Sequence, residues 1–254
     1  MENFKNFAQN DGDSGWSKAD LTDVKNEYQK QYNILQLIAE KGGSAVPNAW
    51  AFIESVLDPL VCSGDGDYEK EPLEKPKVKR IIDIGCGIGS MLGFITTIYG
   101  RFFIPIEYIG YDYSNLMTSV AEELDWPGDE SYFNPVFLHC DYSDINIEPE
   151  KLDIIIASNF CNCMPNGDRC FENVLSLGFN RIIFTDVKLT RKESYYVEKS
   201  ISENIKTHNF YHNRKHIKEM IDKYNYKTVA IGLSDEYTQT GQEVNFYLTK
   251  KDVS

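Results

Sequence analysis

Arg80-Ile81-Ile82-Asp83-Ile84-Gly85-Cys86-Gly87-Ile88-Gly89-Ser90-Met91-Leu92 is the stretch that decides the fold. Ile81, Ile82 and Ile84 form a β-branched run suited to a strand buried on both faces, and Gly85, Gly87 and Gly89 then interrupt it. Apolar residues resume at Met91, Leu92, Phe94, Ile95 and Ile98, spaced for a helix packed on a sheet. Strand, glycine turn and helix N-terminus leave backbone N–H groups open to a closely approaching ligand, the form of a nucleotide-cofactor loop. A dinucleotide fingerprint would need glycine at the sixth position from Gly85, where Ser90 stands, so NAD fits poorly.

The 254 residues give room for one α/β domain with an added segment and a full core. With 26 basic and 39 acidic residues the formal net charge is −13, which repels a phosphate backbone and argues against nucleic acid as a partner. No apolar run approaches a membrane span, and Met1 to Asp13 is polar rather than a charged-then-apolar leader. A cytoplasmic protein without membrane attachment is expected. Cys62, Cys86, Cys140, Cys161, Cys163 and Cys170 match neither a C-x-x-C metal pair nor a secreted scaffold. Free thiols and no metal are expected, with Cys140, Cys161, Cys163 and Cys170 meeting as a metal set the lesser alternative; Cys86 is expected to pack rather than react.

From Trp16 to Lys41, Leu21, Val24, Tyr28, Tyr32, Leu35 and Ile38 recur at helical spacing, and Gly42 and Gly43 end the run. A second amphipathic helix follows Pro47 through Trp50, Ile53, Val56, Leu57 and Leu60. Residues 1–62 therefore read as a polar arm and helical cap, 63–77 as a charged linker broken by glycine and proline, and 78–254 as the cofactor domain. The cap has two possible places: over the cofactor crevice as a lid, or on the outer face of the sheet, serving only the core.

Ile106 to Asp112 reads as the second strand, and Ser114 caps the following helix. In a doubly wound sheet an acidic residue at this tip points into the crevice where a ribose lies, and the two oxygens of Asp112 can accept both hydroxyl hydrogens. Val136 to His139 is the third strand, and the Asp141 that follows can accept the amine of an adenine. The fourth strand, Leu152 to Ala157, ends in Ser158-Asn159-Phe160, and the fifth spans Arg181 to Val187. Thr190 to Asn213 reads as a polar, aromatic-rich helical stretch, longer than a plain crossover requires, that covers part of the site. A helix capped by Asn213 and strands at Lys227–Leu233 and Val244–Lys250 close the chain.

In order, these segments supply Asp-x-Gly-x-Gly-x-Gly from Asp83, Gly-Tyr-Asp-x-Ser-x-x-Met from Gly110, Cys-Asp-Tyr from Cys140, and Leu-Asp-Ile-Ile-Ile-Ala-Ser-Asn-Phe from Leu152. Over Val78 to Lys251 the set resembles the class I S-adenosylmethionine-dependent methyltransferases, particularly the group acting on small molecules. The resemblance implies an α/β, Rossmann-like, seven-stranded and mostly parallel sheet of order 3-2-1-4-5-7-6, flanked by helices, with the last strand antiparallel. It implies S-adenosylmethionine as cofactor, its methionine part on Gly85, Gly87 and Gly89, its ribose on Asp112 and its adenine on Asp141, flanked by Tyr113. Asp83, Cys86, Tyr142 and Asn159 complete the expected cofactor set. The fourth-strand tip departs from the Asn/Asp-Pro-Pro-Tyr/Phe motif of base-methylating enzymes, and no metal-binding carboxylate set of the catechol type is evident.

His208 and His212 are the candidate bases, because an unperturbed imidazole titrates near neutrality; the alternative is a pair of surface histidines on a lid. On the acceptor side stand Trp16, Tyr28, Tyr32, Phe160, Tyr195 and Tyr211, either an aromatic enclosure for a cationic or planar acceptor or ordinary packing. The expected reaction is methyl transfer to nitrogen or oxygen of a small-molecule acceptor. A protein or peptide acceptor, and a non-catalytic cofactor-binding subunit, stand as alternatives.

Overall fold

The computed structural model describes residues 19–63, 71–102, 104–126, 133–200, 206–238 and 241–251. The first half of the chain contains α1 (Leu21–Lys41), α2 (Asn48–Val61), β1 (Cys62–Ser63), β2 (Glu71–Pro72), β3 (Arg80–Ile84), α3 (Ser90–Tyr99), β4 (Glu107–Asp112) and α4 (Asn115–Glu123). The second contains β5 (Pro135–His139), β6 (Asp153–Ser158), α5 (Gly167–Ser176), β7 (Arg181–Thr190), β8 (Tyr195–Ser200), β9 (Lys206–Asn213), α6 (Arg214–Lys223), β10 (Tyr226–Thr238) and β11 (Gly241–Lys250).

The main sheet runs β5-β4-β3-β6-β7-β11-β10, which is the expected order 3-2-1-4-5-7-6. Its central pairs are parallel, and β11 is antiparallel to both neighbours. Strand alternation divides the core into two layers. Ile81, Ile154 and Ile156 face α1 to α4, whereas Ile82, Ile84, Ile155 and Ala157 face α5 and α6.

Asp20 caps α1 by accepting from Thr22 N (2.7 Å) and Asp23 N (3.0 Å), and Asp23 returns a bond to Asp20 N, so the helix starts at Leu21. Trp16 and the arm 1–15 lie outside the described residues. Val24, Leu35 and Ile38 anchor α1 in the same core layer as the sheet. The stretch read as a linker is tied at its ends, with Cys62–Ser63 paired to Glu71–Pro72 and Lys77 N bonded to Leu60 O.

One expectation is overturned: Thr190 to Asn213 is not helical. β7 continues to Thr190, and β8 and β9 form an antiparallel hairpin whose far end pairs with β7 at Leu189↔His212 and Thr190↔Asn213. The physical reason is the concentration of Tyr, Val, Thr and Phe, which favour a pleated surface and pair across strands. Tyr195 stacks on Tyr211 with ring centroids 4.9 Å apart, and Tyr196 stands opposite Phe210.

At the end of the sheet remote from the glycine loop, Arg80 grips Asp153 through both carboxylate oxygens, with Nε–Oδ1 at 3.0 Å and Nη2–Oδ2 at 2.5 Å. The Asp153 side chain is fully buried, and Glu150 N also donates to it. Removing one partner leaves a buried charge without compensation. Arg80→Met is therefore expected to cost about 3–5 kcal/mol in denaturant unfolding, and Arg80→Met combined with Asp153→Leu should recover most of it. A double variant no more stable than the single would refute this account of the pair.

Candidate active site

The C-terminal ends of the parallel strands open onto one cavity of about 750 Å3, within the range of ligand pockets. Its lining follows the sheet: Asp141 after β5, Asp112 from β4, Gly85 and Gly87 after β3, Asn159 after β6, Asp186 from β7. At about 4.8 Å per strand, this row spans about 19 Å.

The glycine loop turns through three left-handed residues, Gly85 (φ 77°), Gly87 (φ 55°) and Gly89 (φ 82°). Gly85 N and Cys86 N donate to Tyr111 O at 2.8 and 3.1 Å. Gly87 N donates to Asp112 Oδ2 at 2.9 Å, and Ser114 N to Asp112 Oδ1 at 2.8 Å. Each Asp112 oxygen keeps a further acceptor position, as a ribose diol requires. A Cβ on Gly87 would meet nothing within 4 Å, so the loop presents bare backbone to the cavity. On Gly85 it would lie 2.7 Å from Phe160 Cδ2.

Burial raises the Asp112 carboxyl, and the N–H groups of Ser114 and Gly87 act against it. Asp83 is more extreme. Burial pushes its pKa up to about 7, with the Tyr108 hydroxyl bond opposing and the Asp112 charge adding to the rise. The Cys86 thiol is also driven upward by burial, and its sulfur packs where a Cβ on Gly110 would lie 2.8 Å away, so it is a packing group.

Asp141 Oδ1 accepts from Ser143 N and Ser143 Oγ, both at 2.8 Å. Tyr142 meets Phe160 edge-on at 5.5 Å, and Tyr113 stands exposed at the rim. Asn159 has φ 51°, a left-handed conformation rare outside glycine, and its N–H reaches Thr185 O at 3.3 Å. Glu27, Lys30, Gln31 and Ile34 of α1 form one wall of the cavity, and Ser200, Thr207, His208 and Asn209 of the hairpin form another.

The structure thus brings together Asp83, Gly85, Cys86, Gly87, Asp112, Tyr113, Asp141, Tyr142, Asn159, Phe160 and His208. Gly89 lies behind the lining as the N-cap of α3. His212 is not at the cavity; it is fully buried, with Nδ1 2.7 Å from Asp168 Oδ1, and clasps the hairpin to α5. Tyr28 and Tyr32 also face elsewhere: Tyr28 packs on Trp126 and donates to Asp125 O, and Tyr32 packs on Tyr28. Tyr195 and Tyr211 stack on one another outside the lining. Sequence reasoning missed Asp186, Lys188 and Asn209. The rule that ligands sit at the carboxyl ends of parallel strands pointed to β7 just past its pairing with β6, where Asp186 lies.

A doubly wound sheet of this order, with an acid-clamped glycine loop at its switch point, defines a class I S-adenosylmethionine-dependent methyltransferase. The chain belongs to the methyltransferase-domain family, whose model matches residues 75–244. The fold is shared with an S-adenosylmethionine-dependent methyltransferase from Methanosarcina mazei, 12% identical, at a TM-score of 0.52 over 69% of this chain and 94% of that one. It is shared also with one from Clostridium acetobutylicum, 12% identical, at a TM-score of 0.50 over 87% and 98%. No curated protein matches the chain in sequence.

Asp83 links the site to pH. Its native pKa of about 7 lies above the ordinary 3.8, so between those values the folded chain keeps a proton that the unfolded chain has lost. Its contribution to stability therefore falls as pH rises through that window and stays low above it. Asp83→Asn should remove this slope, so that the Tm difference between variant and wild type moves in the variant's favour from pH 5 to pH 8. A difference independent of pH would show that Asp83 titrates in the ordinary carboxylate range.

Proposed function

We propose that the protein transfers the methyl group of S-adenosylmethionine to nitrogen or oxygen of a small-molecule acceptor. The observation that carries this reading is the row of polar groups across one cavity, from Asp141 through Asp112 and the glycine loop to Asn159 and Asp186. The open backbone over Gly87 and the spare acceptor positions of Asp112 fit the cofactor's amino-acid and ribose parts, with Asp141 toward adenine. When bound, the cofactor supplies a methyl group already activated on sulfur. The chain then has to align an acceptor lone pair, exclude water and take a proton.

These tasks fall to the β6 and β7 side of the cavity. Thr207 Oγ1 and His208 Nδ1 are buried there without a hydrogen-bond partner among the described residues, and a polar acceptor would satisfy them. The walls from α1 and the hairpin favour a small acceptor over a long polymer, and the net charge of −13 weighs against nucleic acid.

Calorimetry should detect S-adenosylhomocysteine binding and much weaker NAD binding. Asp112→Ala should weaken the former by about 1.5–3 kcal/mol, the scale of charge-assisted hydrogen bonds; unchanged affinity would place the ribose elsewhere. Incubating cell extract with labelled S-adenosylmethionine should label low-mass products, and label confined to protein would defeat the small-molecule reading.

The same reading makes α1 a cover. Glu27, Lys30, Gln31 and Ile34 are in the cavity wall, although Val24, Leu35 and Ile38 pin the helix to the core. Hydrogen exchange across Leu21–Lys41 should slow on addition of S-adenosylhomocysteine. Identical exchange with and without it would leave α1 a purely structural helix.

A further inference from the structure

Midway along its length, where its pairing with β6 ends, β7 is irregular in a way its sequence position does not require. Opposite Asn245 of β11 stand two residues of β7, Thr185 and Asp186, because the pairing jumps from Phe246↔Phe184 to Val244↔Val187. This is a β-bulge, and Asp186 adopts φ 59° within it. A left-handed aspartate in a bulge persists only when its surroundings over-determine it. They do so here through two buried asparagines. Asn245 Oδ1 accepts from Asp186 N at 2.9 Å, and Asn162 Nδ2 donates to Asp186 O while Asn162 Oδ1 accepts from Lys188 N at 3.3 Å.

The bulge directs Asp186 into the cavity beside Asn159, the other left-handed non-glycine residue of the adjoining strand tip. Its Oδ2 lies 3.0 Å from Thr185 Oγ1, which is in turn 2.9 Å from Ser158 Oγ, so a short hydroxyl chain holds one oxygen and leaves the other to the cavity. Lys188 does not close over it, because its Nζ donates to Asn209 Oδ1 at 2.8 Å. A carboxylate held this firmly, at the end of the row remote from Asp141 and Asp112, is a built receptor for a positive group.

Resting on the methyl-transfer reading above, we propose that Asp186 is the catalytic group on the acceptor side and that the acceptor is an amine. Asp186 receives the ammonium end of the acceptor as a charge-assisted hydrogen bond. In the reaction one N–H bond breaks and its proton passes to an Asp186 oxygen; the electron pair left on nitrogen forms the bond to the methyl carbon as the methyl–sulfur bond breaks with its pair kept on sulfur, so that S-adenosylhomocysteine leaves. Asp186 returns the proton to water. A phenolate or carboxylate acceptor would instead set like charges against each other. Burial raises the Asp186 carboxyl, with the Thr185 hydroxyl and Lys188 opposing, which suits a group that must hold a proton briefly.

The test uses the full chain saturated with S-adenosylhomocysteine and three probes of one shape: benzylamine, benzyl alcohol and benzoate. Binding to the complex is followed by ligand-observed NMR. Wild type should hold benzylamine about tenfold or more tighter than the other two, the scale of one charge-assisted hydrogen bond. Asp186→Asn, nearly isosteric, should lose that preference, and Asp186→Glu should keep part of it. The wild-type series needs no variant, and S-adenosylhomocysteine affinity reports that each variant is folded. Normal S-adenosylhomocysteine binding with no preference for benzylamine, or a preference that survives in Asp186→Asn, would overturn the proposal and leave the methyltransferase reading standing. Failure of wild type to bind S-adenosylhomocysteine would remove both.

Discussion

The site depends on the Asp112 carboxylate, whose two oxygens hold Gly87 N on one side and Ser114 N on the other. Without it the glycine loop, a turn of three left-handed residues, would rest on its backbone bonds for its height above the sheet. With it, the loop after β3 and the tip of β4 become one rigid edge, and the bonds from Gly85 N and Cys86 N to Tyr111 O strengthen the same join. Because β3 is the strand at which the order reverses, everything bound there is flanked by β4 on one side and β6 on the other.

The two sides of that reversal are built differently. Toward β4 and β5 the polar groups are acidic side chains at or just after strand ends, each accepting from the serine N–H two residues on, as in the bonds from Ser114 to Asp112 and from Ser143 to Asp141, with Gly87 N the second donor to Asp112. Toward β6 and β7 the backbone itself is irregular, and its fixing partners are distant in sequence: Asn245 is 59 residues from Asp186, and Asn162 is 24. In the methyl-transfer reading proposed above, the cofactor would lie toward the first of these sides and the acceptor toward the second.

That difference explains what could be read from the chain alone. The β3 run, the glycine loop, the α3 face, Asp112 and Asp141 are local patterns, and the family resemblance they carry implied the whole sheet order. The hairpin was missed because Tyr195 to Asn213 contains aromatic residues at spacings compatible with a helix, while the partners of β8 lie in β9. His212 looked like a base in a polar lid, yet the hairpin carries it inward against Asp168. Tyr28 and Tyr32 share α1 with the cavity wall but sit on its other side, a distinction fixed only when Leu35 and Ile38 dock in the core. Asp186 was readable only as a residue on a strand that borders the cavity; nothing near it announces the bulge, whose determinant is the strand that returns as β11.

The concentration of strain and buried charge at one edge of the sheet also has an energetic logic. Asp83 buried beside Asp112, and Asn159 and Asp186 in left-handed backbone, each favour departure from the folded state. At the opposite edge the design is reversed. Arg80 and Asp153 satisfy one another in a two-pronged pair across β3 and β6, the same two strands whose other ends carry Asp83 and Asn159. Between them lie fully buried isoleucines on both faces. The central strands are therefore anchored at one end and in the middle, which lets the other end hold conformations that no isolated strand would adopt. A ligand that binds only the folded chain at this end stabilises it by mass action, so occupancy of the site and stability of the sheet rise together.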